Sequence, residues 1–210
     1  MSKTKPFDKY SDEYERWFVD NHYAFQSELK AIKMAMPAMG EGVEIGVGTG
    51  IFAEPLGIKE GIEPFKAMRE KAKKRNIKVI DAVAEKLPYL DKSKDFVLMI
   101  TIICFVDDIF RSFNEAHRIL KDSGSLIIGF IDRNSPVGIK YSEHKEKSVF
   151  YKDACFYGTG ELYEILKNTG FEIENTYQTV FGKLDEINNV QEVLTGHGQG
   201  SFVVIKAKKG

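Results

Sequence analysis

Residues 43–50, Val-Glu-Ile-Gly-Val-Gly-Thr-Gly, have the residue types and spacing of a ligand-binding loop. Glycine adopts positive φ easily and has no Cβ, so alternating glycines let the chain turn sharply and approach a ligand closely. The spacing is not that of the dinucleotide fingerprint G-x-G-x-x-G, because Ile51 occupies the position of its third glycine. The carboxylate of Glu44 would repel a pyrophosphate and attract an ammonium or sulfonium group. The loop predicts a site for a nucleotide-type ligand that carries positive charge, with a plain surface turn as the alternative.

A second acidic residue, Glu63, follows the short apolar stretch Gly61-Ile62 and precedes Pro64. It lies about 20 residues after the start of the glycine-rich loop, where a ribose-binding acid is expected. Its two oxygens can accept hydrogen bonds from both hydroxyls of a ribose. The alternative interpretation is a solvated acid before a helix N-terminus.

The elements that must position these residues alternate between strand and helix patterns. Strands are predicted at residues 43–45, 61–62, 79–80, 95–103 and 125–131, and helices after Gly50 and at residues 65–75 and 109–120. Nearly continuous apolar strands separated by helices indicate a parallel, doubly wound α/β sheet with helices on both faces. Ligands of such sheets lie across the carboxyl ends of the strands, which is where Glu63 and the glycine-rich loop are expected.

The remaining parts of the chain flank this alternating region. Residues 10–36 predict one long helix with an aromatic stripe, which suits either core packing or a lid. Residues 133–158 show no clear period and predict an excursion with room for substrate contacts. Residues 160–168 predict a helix, and residues 171–181 and 201–207 predict an antiparallel closing hairpin.

The length and composition favour a single domain. The chain has 210 residues, of which 43% are hydrophobic, and no internal repeat or interdomain linker. We therefore expect one domain composed of a helical cap (1–37), a cofactor-binding half (40–132), the excursion (133–158) and a C-terminal helix and hairpin (159–210).

Charge and cysteine content argue against several functions. The net charge of −1 provides no field that would recruit nucleic acid or an anionic membrane. The sequence has no apolar run of membrane-spanning length and a polar start, so we expect a cytoplasmic protein. Cys104 and Cys155 are far apart and lack a C-x-x-C pattern, which favours reduced thiols over a disulfide or a metal site.

Five sequence motifs occur in order between residues 40 and 132. They are E-I-G-V-G-T-G, G-I-E-P, A-E-K-L-P, D-F-V-L and E-A-H-R-I-L-K-D-S-G-S-L-I-I. Together they resemble the class I S-adenosylmethionine-dependent methyltransferases, in particular the small-molecule branch (type 11) that includes quinone-biosynthesis enzymes. The resemblance implies a Rossmann-like, seven-stranded sheet of order 3-2-1-4-5-7-6 with the last strand antiparallel. It also implies S-adenosyl-L-methionine as the cofactor and a small molecule as the methyl acceptor.

The resemblance assigns cofactor-binding roles to particular residues. It implies that the methionine part is held by Glu44, Gly46, Gly48 and Gly50, the ribose by Glu63 with Pro64, the adenine edge by Ala84 and Glu85, and the amino-acid end by Ile100 and Thr101. Two positions depart from the family pattern. Val83 stands where relatives often have an Asp, and Cys104-Phe105 stands where several have a His-like polar residue, which removes an obvious base.

Methyl transfer from a sulfonium needs mainly alignment and exclusion of water, so neither a protein nucleophile nor a metal is expected. If a base takes part, the candidates are Tyr10, Asp132, Tyr141, His144 and His197, and Asp132 is favoured because it ends the fifth strand. Whether catalysis is retained, and the oligomeric state, are left open by the sequence.

Two other functions were weighed. Tyr141 and Lys145 match the Y-x-x-x-K pair of NAD(P)-dependent short-chain dehydrogenases, but the T-G-x-x-x-G-x-G loop of those enzymes is missing and Pro136 weakens the expected helix. The second is a cofactor-binding sensor or subunit without activity. Methylation of protein or nucleic acid is disfavoured because the sequence has no basic groove or N-P-P-Y motif.

Overall fold

The computed structural model describes Phe7 and residues 9–210. Its centre is one sheet with strand order β3-β2-β1-β4-β5-β8-β6-β7. The strands are β1 Gly42–Ile45, β2 Glu60–Ile62, β3 Lys78–Ile80, β4 Lys94–Ile100, β5 Leu120–Ile131, β6 Phe171–Thr179, β7 Leu194–Thr195 and β8 Phe202–Lys209.

The sheet confirms the predicted topology. Strands β1 to β5 are parallel to one another, and β8 is inserted antiparallel between β5 and β6. The antiparallel pairing of β6 with β8 confirms the predicted closing hairpin. One difference is the two-residue strand β7, which pairs with the edge of β6 and makes the sheet eight-stranded. The long link before β8 supplies this strand.

Helices cover both faces of the sheet, as the alternating pattern predicted. They are α1 Ser11–Asp20, α2 His22–Ala35, α3 Ala53–Leu56, α4 Lys66–Lys74, α5 Ile109–Ile119, α6 Pro136–His144 and α7 Thr159–Asn168. One core contains Phe113 of α5 and Leu162 of α7. The core on the opposite face contains Phe25 and Ile32 of α2 with Ala72 of α4. Burying both sheet faces places the strand ends at the edge of the two cores.

The N-terminal segment differs from the single helix that was predicted. The helix is interrupted at Asn21. Its side-chain Nδ2 and its backbone N–H both donate to the carbonyl oxygen of Trp17 at 2.9 Å. A side chain that competes for backbone hydrogen bonds in this way ends a helix. Helix α2 then packs on the sheet, and α1 turns so that Tyr14 reaches the strand ends.

The excursion also contains more regular structure than its sequence pattern indicated. Ser135 caps α6, because its Oγ accepts a hydrogen bond from the backbone N–H of Gly138 at 3.1 Å. Pro136 stands in the first turn, where a missing N–H costs nothing, so it starts this helix and does not weaken it. A 3-10 turn, Lys145–Lys147, follows α6.

Candidate functional site

A cavity of about 380 Å³ lies at the carboxyl ends of β1, β2 and β4. The loops after these strands form most of its wall, together with residues 82–85 and the first turn of α5. Of the residues predicted to bind a cofactor, the cavity is lined by Gly46, Gly48, Glu63, Pro64, Ala84, Glu85 and Thr101. Glu44, Gly50 and Ile100 are not among the residues that line it.

The glycine-rich loop owes its shape to two different requirements. Gly48 has a φ of 54° and faces the cavity, where the nearest atom to an added Cβ would be the Tyr14 hydroxyl oxygen at 3.8 Å. Gly50 has a φ of 81°, and an added Cβ would lie 2.4 Å from Cδ1 of Ile77. Gly50 therefore allows the loop to pack against Ile77, while the missing side chain at Gly48 leaves space in the cavity.

Glu63 connects the two loops that follow β1 and β2. Its Oε2 accepts a hydrogen bond from the backbone N–H of Gly48, and its Oε1 accepts one from Phe65, both at 3.0 Å. The side chain is 6% exposed and lines the cavity. Because a carboxylate oxygen can accept more than one hydrogen bond, this group is fixed in place and can still receive ligand hydroxyls.

Glu44 lies in β1 as a buried acid, 2% exposed. Its Oε2 has no hydrogen-bond partner among the described residues. Burial, and then the negative charge of Glu63, raise the pKa of Glu44 well above its usual range. A buried carboxylate without a partner is unfavourable, so a bound cation would relieve this position.

Tyr14 of α1 stands among three carboxyl groups. Burial, followed by the charges of Glu44, Glu63 and Glu28, raises the pKa of the Tyr14 phenol above its usual range, while a hydrogen bond with Thr101 opposes this. The neutral Tyr14 phenol therefore stands beside an acidic region at the end of β1. This region suits a ligand with positive charge.

Thr101 directly follows β4, which ends at Ile100, three residues before the predicted boundary at residue 103. Its φ of 56° redirects the chain, and its backbone N–H donates to the carbonyl oxygen of Gly129 at 2.7 Å. A positive φ at a β-branched residue is uncommon and is often found at functional sites. The turn places Thr101 in the cavity wall, whereas Ile100 before it is buried in the core.

The far end of the cavity is formed by Glu85 and the start of α5. Glu85 Oε1 accepts from the backbone N–H groups of Asp107 at 2.7 Å and of Asp108 at 3.2 Å. Asp107, Asp108 and Arg111 line the same end and were not predicted from the sequence. Asp108 caps α5 by accepting from the N–H of Arg111 at 3.0 Å, and a helix cap directly after a strand-end loop is the signal that could have found them.

A second cavity of about 180 Å³ adjoins the first. The two share Phe7, Tyr14, Thr101 and Phe105 in their walls. The second wall is otherwise mostly aromatic, with rings from Trp17 and Phe18 of α1, Tyr141 of α6, and Phe150, Tyr151, Phe156 and Tyr157 of the excursion. The rings of Tyr141 and Tyr151 stack with centroids 4.8 Å apart. The predicted lid role of the N-terminal helix and of the excursion is consistent with this wall.

The candidate bases fall in different surroundings. Tyr141 alone of the five lines a cavity, and burial, then the charge of Glu28, raises its pKa to about 12. Asp132 lies outside both cavity walls, where Oδ2 accepts from the backbone N–H of Thr159 at 3.1 Å and from its hydroxyl at 2.5 Å. His144 and His197 are exposed, and Tyr10 packs edge-on with Phe150 at 6.5 Å outside the cavity walls.

Glu28 of α2 is a further residue that the sequence did not predict. It is 2% exposed and lines the second cavity. Burial alone raises its pKa to about 8. Its position among Phe25, Leu29 and Ile32 is the signal that could have found it, since an acid on the apolar face of a helix is rarely there for packing.

The described residues contain neither a metal-binding cluster nor a membrane-spanning helix. No cluster of His, Cys, Asp or Glu side chains there is arranged to hold a metal ion. None of the helices of residues 9–210 is long and apolar enough to cross a membrane.

Known proteins resemble this chain in sequence and fold. A methyltransferase domain model matches residues 43–128. An uncharacterized protein of Methanocaldococcus jannaschii is 46% identical over 97% of this chain and 98% of its own length. A crystal structure from Thermotoga maritima, described as an S-adenosylmethionine-dependent methyltransferase and possible histamine N-methyltransferase, is 48% identical and superimposes with a TM-score of 0.96 over 99% of this chain and 100% of its own.

More distant structures share the fold alone. A Haloferax volcanii chain, solved in complex with the Trm112 methyltransferase activator, is 17% identical with a TM-score of 0.71. The superposition includes 97% of this chain and 96% of the Haloferax volcanii chain. The fold is thus common to proteins whose sequences have diverged widely.

Proposed function

Because this chain belongs to the class I S-adenosylmethionine-dependent methyltransferases, we propose that it methylates a small molecule held in the aromatic cavity beside the cofactor cavity. The observation that carries the proposal is the shared wall of the two cavities. Phe7, Tyr14, Thr101 and Phe105 face both, so a cofactor in one and an acceptor in the other would meet there.

The residues of the larger cavity fit S-adenosylmethionine. Glu63, already held by the backbone N–H of Gly48, would accept hydrogen bonds from the ribose hydroxyls, and the Gly46–Gly48 stretch of the loop would leave room for the methionine part. Glu44, whose Oε2 has no hydrogen-bond partner among the described residues, and the nearby Glu63 would supply the acidic surroundings that suit an ammonium and a sulfonium. Ala84, Glu85 and the start of α5 would hold the adenine end. Pro64 and Thr101 complete the wall.

Bound S-adenosylmethionine supplies a methyl group that its sulfonium already activates. The chain's own residues have to orient the acceptor and keep water away. The aromatic wall does both, because flat rings fix a small molecule by contact and leave little space for solvent. The shared residues Tyr14 and Thr101 bring the acceptor to the cofactor's reactive end.

The size of the second cavity supports a small acceptor. About 180 Å³ is enough room for a compact organic molecule. The Thermotoga maritima relative, described as a possible histamine N-methyltransferase, favours a small amine among such molecules.

A methyl-transfer assay tests the proposal. The protein is incubated with S-adenosylmethionine and a panel of small amines, phenols and quinols, with bulk protein and RNA as comparisons, and formation of S-adenosylhomocysteine is measured. We expect turnover with at least one small molecule and none with the macromolecules. Turnover of a macromolecule alone would contradict the proposal, as would tight cofactor binding with no product from any acceptor, which is the behaviour of a sensor.

A further inference from the structure

The second cavity combines aromatic rings with acidic side chains and lacks basic ones. Among its lining residues in the described chain there is no Lys, Arg or His. Its ionisable acids are Glu28, which is 2% exposed, and Glu13, which is exposed. Aromatic faces attract cations, and a carboxylate does so more strongly.

The Glu28 carboxyl makes no hydrogen bond or ion pair with another described residue, although its helix is otherwise packed on the sheet. The groups that face it are Tyr14 of α1, Tyr141 of α6 and Tyr151 of the excursion, each of which has its pKa raised in part by the charge of Glu28. These are neutral phenols. A buried carboxyl group surrounded by neutral rings is costly to ionise unless a cation joins it.

Resting on the proposed function, we propose that Glu28 selects a protonated amine as the acceptor and takes a proton from it. The ammonium binds between the aromatic rings with its charge toward the ionised carboxylate. An N–H bond then breaks and an O–H bond forms on Glu28, which leaves a neutral amine whose lone pair can accept the methyl group. The methylated product is again an ammonium, and the proton on Glu28 passes to water when the product leaves.

The proposal explains why this acid lies in the interior. Burial raises the pKa of the free Glu28 carboxyl to about 8, so its proton affinity is close to that of an amine and the transfer has little thermodynamic cost. An exposed carboxylate, with a pKa near 4, would be a much weaker base. The cavity thus selects the acceptor by charge and prepares it for reaction with the same side chain.

Binding tests the selection without relying on turnover. The protein is saturated with S-adenosylhomocysteine and titrated calorimetrically with benzylamine, 2-phenylethylamine and histamine, each paired with the alcohol that has hydroxyl in place of amine. We expect at least one amine to bind about tenfold more tightly than its alcohol, and Glu28→Gln to remove that preference. Glu143→Gln, which changes an exposed acid of α6, should leave it intact. Equal affinities for every pair, or a preference that survives Glu28→Gln, would overturn the inference.

Kinetics and stability test the proton transfer. For an amine substrate, kcat/KM of the wild type should rise with pH through about 8. Glu28→Gln should lower kcat about 100- to 10,000-fold, and its kcat/KM should no longer rise in this pH range. The wild-type unfolding midpoint should also fall as the pH rises from about 5 to about 9, because the folded state holds a proton that the unfolded chain releases near the ordinary glutamate pKa of 4.5. Glu28→Gln should flatten this slope.

The outcomes separate this inference from the proposed function. Methylation of a phenol or another neutral acceptor, with amines left unmethylated, would overturn the role of Glu28 while the small-molecule methyltransferase remains. An unchanged kcat for amines in Glu28→Gln would do the same. Failure of the wild type to methylate any small molecule would overturn both.

Discussion

Glu63 holds the walls of the 380 Å³ cavity together as well as facing it. Its two oxygens accept from Gly48 and Phe65, so it fixes the loop after β1 against the loop after β2. A ribose bound to a carboxylate that is already oriented loses less entropy than one bound to a mobile side chain.

We expect Glu63→Ala to weaken S-adenosylmethionine binding about 10- to 100-fold, since hydrogen bonds to a charged group contribute about 1.5–3 kcal/mol. Calorimetric titration measures the affinity, and circular dichroism checks that the chain is folded. Glu70→Ala, a change at an exposed acid of α4, is the matched control and should bind normally. Unchanged affinity in Glu63→Ala would remove the role assigned to this residue.

At this scale, the sequence predicted more residues of the first cavity's wall than of the second's. Glu44, Gly48 and Glu63 follow one another within a short stretch, so their spacing alone indicated a site. Glu28 and Tyr151 stand more than a hundred residues apart along the chain and meet only where α2, α6 and the excursion pack together. The spacing of residues along the chain cannot predict a contact between such distant segments. The one sequence signal was the position of an acid, Glu28, on the apolar face of a helix.

At the scale of elements, Asp132 connects three parts of the fold. It follows β5, its carboxylate accepts from the N-terminal residue Thr159 of α7, and its backbone carbonyl accepts from the hydroxyl of Ser135 at the start of α6. A buried carboxylate at a helix N-terminus is stabilised by the free N–H groups there. This position at a strand end suggested a base from the sequence, and the contacts favour an architectural role.

We expect Asp132→Ala to lower the free energy of unfolding by about 2–4 kcal/mol, because several buried donors lose their acceptor at once. S-adenosylmethionine affinity of the folded variant should stay within about twofold of wild type, since Asp132 lies outside both cavity walls. Urea unfolding and titration measure the two quantities, with Asp153→Ala, at an exposed position of the excursion, as the control. Loss of turnover with stability unchanged would instead support the catalytic role.

Element boundaries show why sequence periodicity reaches only so far. The aromatic stripe of residues 10–36 continues across Asn21, so its period predicts one helix, while a side-chain hydrogen bond to Trp17 ends α1 there. The apolar run of β4 likewise continues past Ile100, although the positive φ of Thr101 ends the strand. Both boundaries depend on single-residue geometry that hydrophobic pattern does not record, and both place a residue of the cavity walls.

On the scale of the whole molecule, charge is balanced overall and unbalanced locally. The net charge is −1, yet Glu28, Glu44 and Glu63 gather around Tyr14 at the ends of the central strands. The fold can keep these acids together because two packed cores on either side of the sheet offset the cost. A cationic ligand should therefore stabilise the entire domain as well as occupy its site.

The final prediction measures this stabilisation. Any ligand that binds only the folded state adds about 2.7 kcal/mol at a concentration about 100 times its Kd. For a domain of this size, each kcal/mol shifts the unfolding midpoint by about 2–4 °C, so S-adenosylmethionine should raise it by about 5–10 °C. NADH should leave it unchanged, because the carboxylate of Glu63 in the cavity wall repels a pyrophosphate and Ile51 replaces the third glycine of the dinucleotide fingerprint. Differential scanning fluorimetry makes the comparison, and Glu63→Ala should reduce the shift at the same ligand concentration. A shift with NADH equal to that with S-adenosylmethionine would show that the acids do not determine which cofactor the cavity accepts.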